Sequence, residues 1–426
     1  MVHAEREPQL VDTEDGLVAL ARTFAGAESV ALDAEGDGLY RYRARLCTLQ
    51  LATAEHLAIV DTLALRDLSP LAPLFGPDGP RKILHDAAFD ARLLREQGVP
   101  LERVLDTAVC ARFLGEPAQG LASLLEKYFG ILLPKDRQRA DWGVRPIDAD
   151  AMRYLAGDVL HLHALANALL GAASERGIVA EIDEECLYVL SRAADEAAPA
   201  PSPWTRVKGA LELVPVGRAI LRELCLVREL EAQRRDVPPF KVLGNEALLA
   251  IARRRPHTRH DLRNVGGDVA VRHADFAEQL LDGIRRGEAV GDVPAEDLRV
   301  GQSRPQSERN AIRAREKALQ NWRRTTAAER AVDTQVVLPG HCLAQLAEHD
   351  ADSVEALAAV RGIGAMRVAR DADALLALLR YARAQPAGPE AIALPPAPDE
   401  LALPAAPDEL GLSATPNEPP KGSDEP

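Results

Sequence analysis

Two acidic residues close a strongly apolar stretch in the segment SVALDAEGDG. Asp33 and Glu35 are two positions apart, and residues i and i+2 of a β-strand point to the same side of the sheet. Their carboxylates would therefore face one region of space, about 6–7 Å apart along the chain. Two carboxylates at that separation repel each other, so one must take up a proton unless a cation neutralises the pair. The spacing indicates either a solvated sheet edge or a metal site.

Two later segments carry acids that could join this pair. Asp90 lies in LHDAAFDARLL, and Asp158 lies in RYLAGDVLHL, four residues after Tyr154. Positions i and i+4 occupy one face of a helix, so the phenol and the carboxylate would project together. Together with Asp33 and Glu35, these residues could bind two divalent cations through hard oxygen ligands, which favour Mg²⁺ or Mn²⁺ over zinc.

Two cations held by carboxylates are suited to the hydrolysis of a phosphodiester. When the ions lie about 3.5–4 Å apart, one lowers the pKa of the attacking water and the other stabilises the leaving oxygen. A tyrosine hydroxyl beside them would hold the water in line, which is positioning and not covalent chemistry.

The elements that must position these acids are predicted as strands first and helices afterwards. Strands are predicted at 29–33, 46–52, 56–62 and 81–87. Helices are predicted at 88–98, 107–115 and 120–130, each ended by a glycine, and one long helix is predicted from Asp148 to residue 177. This order indicates an α/β or α+β first domain.

The rest of the chain is predicted to be helical. Two helical stretches share an order in which a long basic helix precedes VLGNEALLAIA or VLPGHCLAQLA and a terminal helix follows, which indicates a divergent duplication. After residue 386, prolines and the repeat APDEL predict disorder. The predicted divisions are a first domain at 1–194, a linker at 195–208, a helical domain at 209–290, a linker at 291–308, a second helical domain at 309–386 and a tail at 387–426.

Composition limits the class of protein. The chain has 426 residues, of which 47% are hydrophobic and 27% charged, as is typical of globular domains. We expect no membrane span and no secretory signal, and the five widely separated cysteines indicate reduced thiols in a cytoplasmic protein. The net charge is −14, yet residues 201–330 hold 25 Lys and Arg against 18 acids. This basic part suits a bound polyanion, although charge alone favours a solvated, Arg-rich helical surface.

In order and spacing, LDAE, HDAAFD and YLAGD resemble the three motifs of the DEDD superfamily of 3′→5′ exonucleases, in its tyrosine-bearing branch. The similarity extends to the ribonuclease D family through DTAVCARFLG, GLASLLEKYFGILLPKDRQRADWGVRP and PWTRVKGALEL. The helical stretches are similar to the helicase-and-RNase-D C-terminal (HRDC) module, most clearly in RDVPPFKVLGNEALLAIARRRP. The resemblance implies a ribonuclease H-like α/β domain with a mixed sheet flanked by helices, followed by two HRDC-like modules.

The resemblance also implies the site residues and the reaction. Metal ligation would fall to Asp33, Glu35, Asp90 and Asp158, with Tyr154 orienting the nucleophilic water. Nucleotides would leave one at a time as 5′-monophosphates from the 3′ end of an RNA such as a tRNA precursor. Independently of the resemblance, the presence of two helical modules in one chain makes a monomer the expected state.

Other residues are candidates for contact with the substrate. His85 would lie near the terminal nucleotide, and Arg139 and Trp142 could touch the phosphate backbone or stack a base. An ordered loop with Trp142 as its apolar anchor is an equal alternative. In the basic part, phosphate contacts are predicted for Arg234, Arg235 and Lys241.

For the neighbouring residues the sequence favours structural roles. Asp37 and Asp86 are expected at the surface or behind the metal ligands, and His161 and His163 are expected to be structural. The glycines of VRGIGAMRV are expected to form a plain tight turn.

Two rival functions remain open at this point. A DNA exonuclease would use the same acids, and only contacts to the 2′-OH distinguish the polymers. A catalytically silent RNA-binding scaffold would be free to lose one of the acids, so the complete set speaks against it.

Overall fold

The computed structural model describes residues 6–134, 136–194, 203–294, 304–349 and 351–384. The predicted tail at 387–426 lies outside these ranges, as do residues 195–202 and 295–303 of the two predicted linkers.

A single six-stranded mixed sheet forms the centre of the first part of the chain. Its order is β1-β4-β3-β2-β5-β6, in which β3 is antiparallel to β2 and β4 and the remaining pairs are parallel. The strands are β1 (Gln9–Val11), β2 (Ser29–Gly36), β3 (Leu46–Ala52), β4 (Leu57–Asp61), β5 (Arg81–Leu84) and β6 (Val104–Asp106). The mixed sheet predicted for the first domain is therefore confirmed.

Helices cover both faces of this sheet. They are α1 (Glu14–Ala25), α2 (Ala72–Phe75), α3 (Ala88–Glu96), α4 (Thr107–Phe113), α5 (Leu121–Phe129), α6 (Ala149–Leu160), α7 (Leu162–Glu175) and α8 (Val179–Ala194), with a short 3₁₀ turn at Ser69–Leu71. Val30 and Leu32 of β2 belong to the core shared with α1, α2 and α3, while Ala31 belongs to the core shared with α4–α8. Because side chains alternate along a strand, Asp33 and Glu35 fall on the second face.

The single long helix predicted from Asp148 is wrong, since the structure breaks it at His161. There the backbone has φ −107° and ψ −1°. The first piece, α6, packs on β2, β3 and β4, whereas α7 packs on α4 and β5. One straight helix cannot follow both directions. The sequence analysis also missed the three-residue strands β1 and β6 and the helices α1 and α8.

One apolar stretch is longer than the sequence led us to expect. Residues Ala149–Glu175 would be long and apolar enough to cross a membrane on length and composition alone, a test that buried core helices also pass. In the structure they form α6 and α7, and Leu155, Leu162 and Leu165 are fully or almost fully buried against the rest of the protein.

Two further cores lie in the helical parts. The first is built from α9 (Pro215–Arg235), α10 (Pro239–Val242), α11 (Asn245–Arg254), α12 (Arg259–Val271) and α13 (Ala274–Val290), with 3₁₀ turns at Pro203–Arg206 and Ala210–Glu212. The second is built from α14 (Gln306–Glu329), α15 (Thr334–Val337), α16 (Gly340–His349), α17 (Val354–Ala358) and α18 (Ala365–Ala384). As predicted, each begins with a long helix and ends with another.

The contact between α9 and α13 depends on a glycine. A Cβ added to Gly287 would lie 2.5 Å from the Cα of Ile220, whereas a Cβ on Gly283 would meet nothing closer than 3.6 Å. We expect Gly287→Ala to lower the unfolding free energy by about 1–3 kcal/mol through overpacking. In the matched control, Gly283→Ala, better helix propensity should raise stability by up to about 1 kcal/mol. Urea unfolding followed by circular dichroism measures both, and equal effects would contradict the packing argument.

Candidate active site

The structure brings three of the four predicted metal-binding acids together. Asp33 and Glu35 project from β2, and Asp158 reaches them from α6, which crosses the same face of the sheet. One carboxylate oxygen from each residue lies within 4.8 Å of the others. All three side chains are half-buried, so the cluster is open to solvent on one side.

The fourth acid, Asp90, is buried beside this group without being part of it. It sits in the first turn of α3 and is 3% exposed. Burial raises its pKa well above the usual range, and the charges of Asp33, Asp106 and Glu35 raise it further. The charge of Asp90 therefore interacts with those of Asp33 and Glu35.

Burial makes the acids reluctant to ionise. It is the largest cause of the raised pKa of Asp33, about 7, and of Asp158, about 8. The pKa of Glu35 is raised to about 9 by burial and by repulsion from Asp33 and Asp158. Bound cations would neutralise these carboxylates in place of protons and would thereby stabilise the folded site. A donor set made only of carboxylate oxygens fits a hard divalent ion such as Mg²⁺ or Mn²⁺.

Tyr154 lies one helical turn before Asp158 on α6, as its spacing predicted. Its pKa is raised by burial and by the charges of Asp158, Glu35 and Asp33, so the phenol stays protonated at any ordinary pH. The residue is half-buried and can offer a hydroxyl at the edge of the acidic cluster.

Trp142 was predicted to bind substrate, and here the structure differs. The side chain is 6% exposed and packs with Ile59, Ala151 and Leu155, so its ring is not open to a nucleobase. Its ring centroid lies 5.7 Å from that of Tyr154. A hydrogen bond from Trp142 lowers the pKa of Glu35, although burial outweighs it. The alternative expectation, a loop anchored by this tryptophan, describes the observed packing.

Arg145 fastens the loop that carries Trp142. Its guanidinium pairs with the buried carboxylate of Asp61 through Nε at 2.7 Å and Nη2 at 2.8 Å. It also donates to the carbonyl oxygens of Trp142 at 2.7 Å and Cys47 at 2.8 Å. Sequence reasoning missed this pair because its partners are distant along the chain.

Asp106 organises the segment HDAAFD, and sequence reasoning missed it too. Its buried carboxylate accepts hydrogen bonds from the backbone N–H groups of Asp86 and Ala87, both at 3.0 Å, and of Ala108 at 2.9 Å. These bonds fix the start of α3 and thereby the position of Asp90. In the sequence, the feature that could have drawn attention to Asp106 is its position directly before a predicted helix, where aspartate is a common N-cap; the structure confirms it as the N-cap of α4.

His85 opens the same segment and is half-buried. Its Nδ1 lies 2.9 Å from the Thr107 hydroxyl, and burial lowers its pKa. Asp86 is exposed, with φ 65°.

The expectation that Asp37 could lie at the surface is wrong, because its side chain is fully buried. Arg45 donates to it from Nε at 2.8 Å and from Nη2 at 2.6 Å. This ion pair closes the base of the loop that follows Glu35. His163 contacts the carbonyl oxygen of Ser29 at 3.3 Å, in keeping with a structural role.

In that loop, Tyr40 contacts two residues that were predicted to bind RNA, one through its backbone and one through its side chain. Its hydroxyl donates to the carbonyl oxygen of Arg139 at 2.5 Å, and the ammonium of Lys241 lies 4.0 Å from its ring centroid. Both basic residues are exposed. Arg234 and Arg235 share the buried carboxylate of Glu231, whose pKa their hydrogen bonds lower to about 2. Part of their positive charge is thus already neutralised.

The sequence of this chain is similar to two protein families and to several characterised relatives. Residues 8–172 match the family described as 3′-5′ exonuclease, and residues 217–284 and 313–379 each match the HRDC domain. The chain is 30% identical over 260 residues to ribonuclease D of Escherichia coli, covering 61% of this chain and 69% of that one. It is also 30% identical over 295 residues to ribonuclease D of Granulibacter bethesdensis, covering 68% and 74%. The chain belongs to the ribonuclease D family.

Solved structures agree with this membership. The crystal structure of Escherichia coli RNase D, described as an exoribonuclease involved in structured RNA processing, superposes with a TM-score of 0.65 at 25% identity, over 88% of this chain and 99% of that one. A protein from Bifidobacterium adolescentis has the same fold, with a TM-score of 0.71 at 22% identity, over 88% of this chain and 98% of that one. As a member of the ribonuclease D family the chain is a 3′-5′ exoribonuclease, and its helical parts are the two HRDC modules that the sequence predicted.

Proposed function

We propose that this enzyme hydrolyses the terminal phosphodiester at the 3′ end of RNA with the help of two divalent cations, Mg²⁺ or Mn²⁺, and releases nucleoside 5′-monophosphates. The observation that carries the proposal is the meeting of Asp33, Glu35 and Asp158 within 4.8 Å, with Asp90 buried beside them. Asp33, Glu35 and Asp158 meet on one face of the sheet, and Asp90 reaches their neighbourhood from α3; acids that resist ionisation in this way are suited to hold cations.

Each side chain has a defined part in this reaction. Asp33, Glu35, Asp90 and Asp158 would hold the cations, which when bound supply an activated water and stabilise the leaving oxygen. Tyr154 keeps its proton and uses its hydroxyl to orient the attacking water. Trp142 and Arg145 keep Glu35 and the loop beside it in place.

We propose that the substrate is a structured RNA, for example a tRNA precursor with a 3′ extension. The ammonium of Lys241, in the first HRDC module, lies over the ring of Tyr40, whose hydroxyl donates to the backbone of the exposed residue Arg139 in the catalytic part, so both basic residues belong to the surroundings of the loop that follows Glu35. Phosphates of the RNA would lie against these side chains, and Arg234 and Arg235 would add weaker contacts. His85 would contact the terminal nucleotide.

The organisation proposed for the chain keeps the predicted divisions. A catalytic domain at 1–194 would be followed by HRDC modules at 209–290 and 309–386 and by the tail at 387–426. We further propose that the protein is cytoplasmic, because all five cysteines are free and buried and reduced cysteines suit that compartment. We also propose that it is a monomer.

The deciding experiment digests a 3′-extended tRNA with the purified full chain in Mg²⁺, in Mn²⁺ and with a chelator. Stepwise shortening from the 3′ end, with 5′-monophosphate products and only when a divalent ion is present, is the expected result. A matched DNA oligonucleotide is run in parallel, and faster cleavage of DNA would instead support the DNA exonuclease. Absence of activity on every 3′-ended substrate would leave the RNA-binding scaffold.

Removal of one hydroxyl tests the part given to Tyr154. In Tyr154→Phe we expect kcat to fall about 10²-fold, a typical contribution from a single positioned group, while KM changes little. Tyr128→Phe is the control, because that hydroxyl donates to Glu116 at 2.7 Å and Glu116 is not one of the four acids. Initial rates over a range of RNA concentrations give both constants, and a kcat equal to that of wild type would remove Tyr154 from the mechanism.

A further inference from the structure

Helix α8, the last helix before the first HRDC module, presents an acidic face to the second HRDC module. Glu181, Glu184 and Glu185 are spaced at i, i+3 and i+4, so they project to one side. Glu181 is fully buried and Glu185 is 3% exposed. Carboxylates this deeply buried require charged partners.

Glu184 occupies the start of α18, just after the hairpin Gly362–Ile363–Gly364. The backbone N–H of Met366 donates to its Oε1 at 2.7 Å, and Nη1 of Arg367 donates to its Oε2 at 3.4 Å. The N-terminus of a 20-residue helix exposes unpaired N–H groups and favours an anion, such as a phosphate. Here that anion is a carboxylate of the chain itself.

The fit around the hairpin is close. Both glycines have φ +80°, and a Cβ added to Gly364 would lie 2.0 Å from Oε2 of Glu184. A Cβ added to Gly362 would lie 2.4 Å from the ring of Tyr188, another residue of α8. Contacts this tight leave no room for a phosphate between the hairpin and α8.

The other two glutamates meet the remaining cations of this face. Glu181 accepts from Arg330 at 2.8 Å and from Arg370 at 2.7 Å. Glu185 lies 3.1 Å from Nε2 of His341. Arg330, Arg370 and His341 of the second module are thus paired with acids of α8, and Glu185 also accepts from Arg112 of α4 at 2.9 Å.

Two aromatic contacts and one further hydrogen bond complete the interface. The rings of Tyr188 and His341 stack with centroids 3.6 Å apart. Arg367 is fully buried and lies over the ring of Phe113 at 5.8 Å. Arg361 donates to the hydroxyl of Ser191 at 2.9 Å. Separation of the module from α8 would leave these buried charges without their partners, which is strongly destabilising.

We propose that the second HRDC module is a docking module whose partner is helix α8 of its own chain. The carboxylate of Glu184 fills the position that an RNA phosphate would take, so this hairpin does not hold the substrate. Of the basic residues of the second module, Arg330, Arg367 and Arg370 bind acids of the catalytic part, whereas Arg313, Lys317 and Arg324 of α14 are exposed. This assignment goes beyond the proposed nuclease reaction and does not depend on it.

Hydrogen exchange of the full chain, measured by mass spectrometry without metal, tests the proposal. Glu184→Gln keeps the size of the side chain and removes its charge. We expect the amides at 364–368 to exchange about tenfold faster, since hydrogen bonds to charged groups contribute that much, and the peptides of α8 to exchange faster with them. The control is Glu348→Gln, an exposed glutamate of the same module whose nearest cation is Arg304 at 3.5 Å; it should change neither region.

The same measurement with a 3′-extended tRNA separates docking from RNA binding. Unchanged exchange at 360–370 in wild type supports the proposal, whereas protection of that hairpin by RNA would overturn it. Faster exchange at 364–368 in Glu184→Gln without any change in α8 would also overturn it. If Glu184→Gln does not fold, Arg370→Gln provides the same test, because it removes a partner of Glu181 from the same interface.

Discussion

Replacing Asp158 with asparagine is expected to abolish RNA hydrolysis while leaving RNA affinity nearly intact. Asparagine keeps the shape of the side chain but loses the negative charge that would attract a cation. Loss of a residue behind a metal ligand typically costs about 10–100-fold in metal affinity or activity, so loss of a ligand should cost at least about 10³-fold in kcat. Binding should survive, because the contacts proposed for RNA lie elsewhere, around Tyr40.

Single-turnover digestion and fluorescence anisotropy, the latter with a chelator present, measure the two effects separately. Asp150→Asn is a matched control on the same helix, since Asp150 is 65% exposed and pairs with Arg153 at the surface. It should cleave RNA at the wild-type rate. Unchanged cleavage by Asp158→Asn would exclude Asp158 from the mechanism, and equal loss of binding and cleavage would indicate a misfolded site.

The stability of the metal-free protein is expected to fall as the pH rises from about 5 to 9. Asp33, Glu35 and Asp158 have pKa values of about 7, 9 and 8 in the folded state, against 3.8 or 4.5 ordinarily. Between those limits the folded protein binds more protons than the unfolded chain, so the unfolding free energy decreases with pH. Below pH 4 both states are protonated and this contribution is fully present.

Divalent cations should reverse the trend, because they bind the ionised acids and stabilise only the folded state. At 100 times its Kd a ligand contributes about 2.7 kcal/mol, which for a domain of this size raises Tm by about 5–10 °C. Thermal unfolding with a chelator, Mg²⁺ or Mn²⁺ at pH 5.5, 7 and 8.5 checks this, with the largest gain expected at pH 8.5. In Asp158→Asn the gain should shrink. A Tm independent of metal at every pH would contradict a metal site.

Local patterns determined most of the fold elements and the candidate acids. Alternation along β2 places Asp33 and Glu35 on one face, and the i, i+4 spacing on α6 places Tyr154 with Asp158. These relations depend only on the geometry of a strand and a helix, which neighbouring residues fix among themselves. The break at His161 escaped prediction because it follows from what α6 and α7 each pack against.

Only the tertiary structure decided which distant residues meet. It buried Trp142 against α6, paired Arg145 with Asp61 across 84 positions, and set Asp106 under the segment that carries Asp90. It also placed Glu184 against the glycine hairpin of the second HRDC module, which the sequence had predicted to be a plain turn. Glu184 binds the backbone N–H of Met366, a residue 182 positions later in the chain. Such contacts depend on the whole chain folding, because no local spacing encodes which surface a side chain will face. The sequence by itself therefore determined which reactive side chains the protein has. Packing decided where those side chains lie and which basic residues stay exposed to RNA.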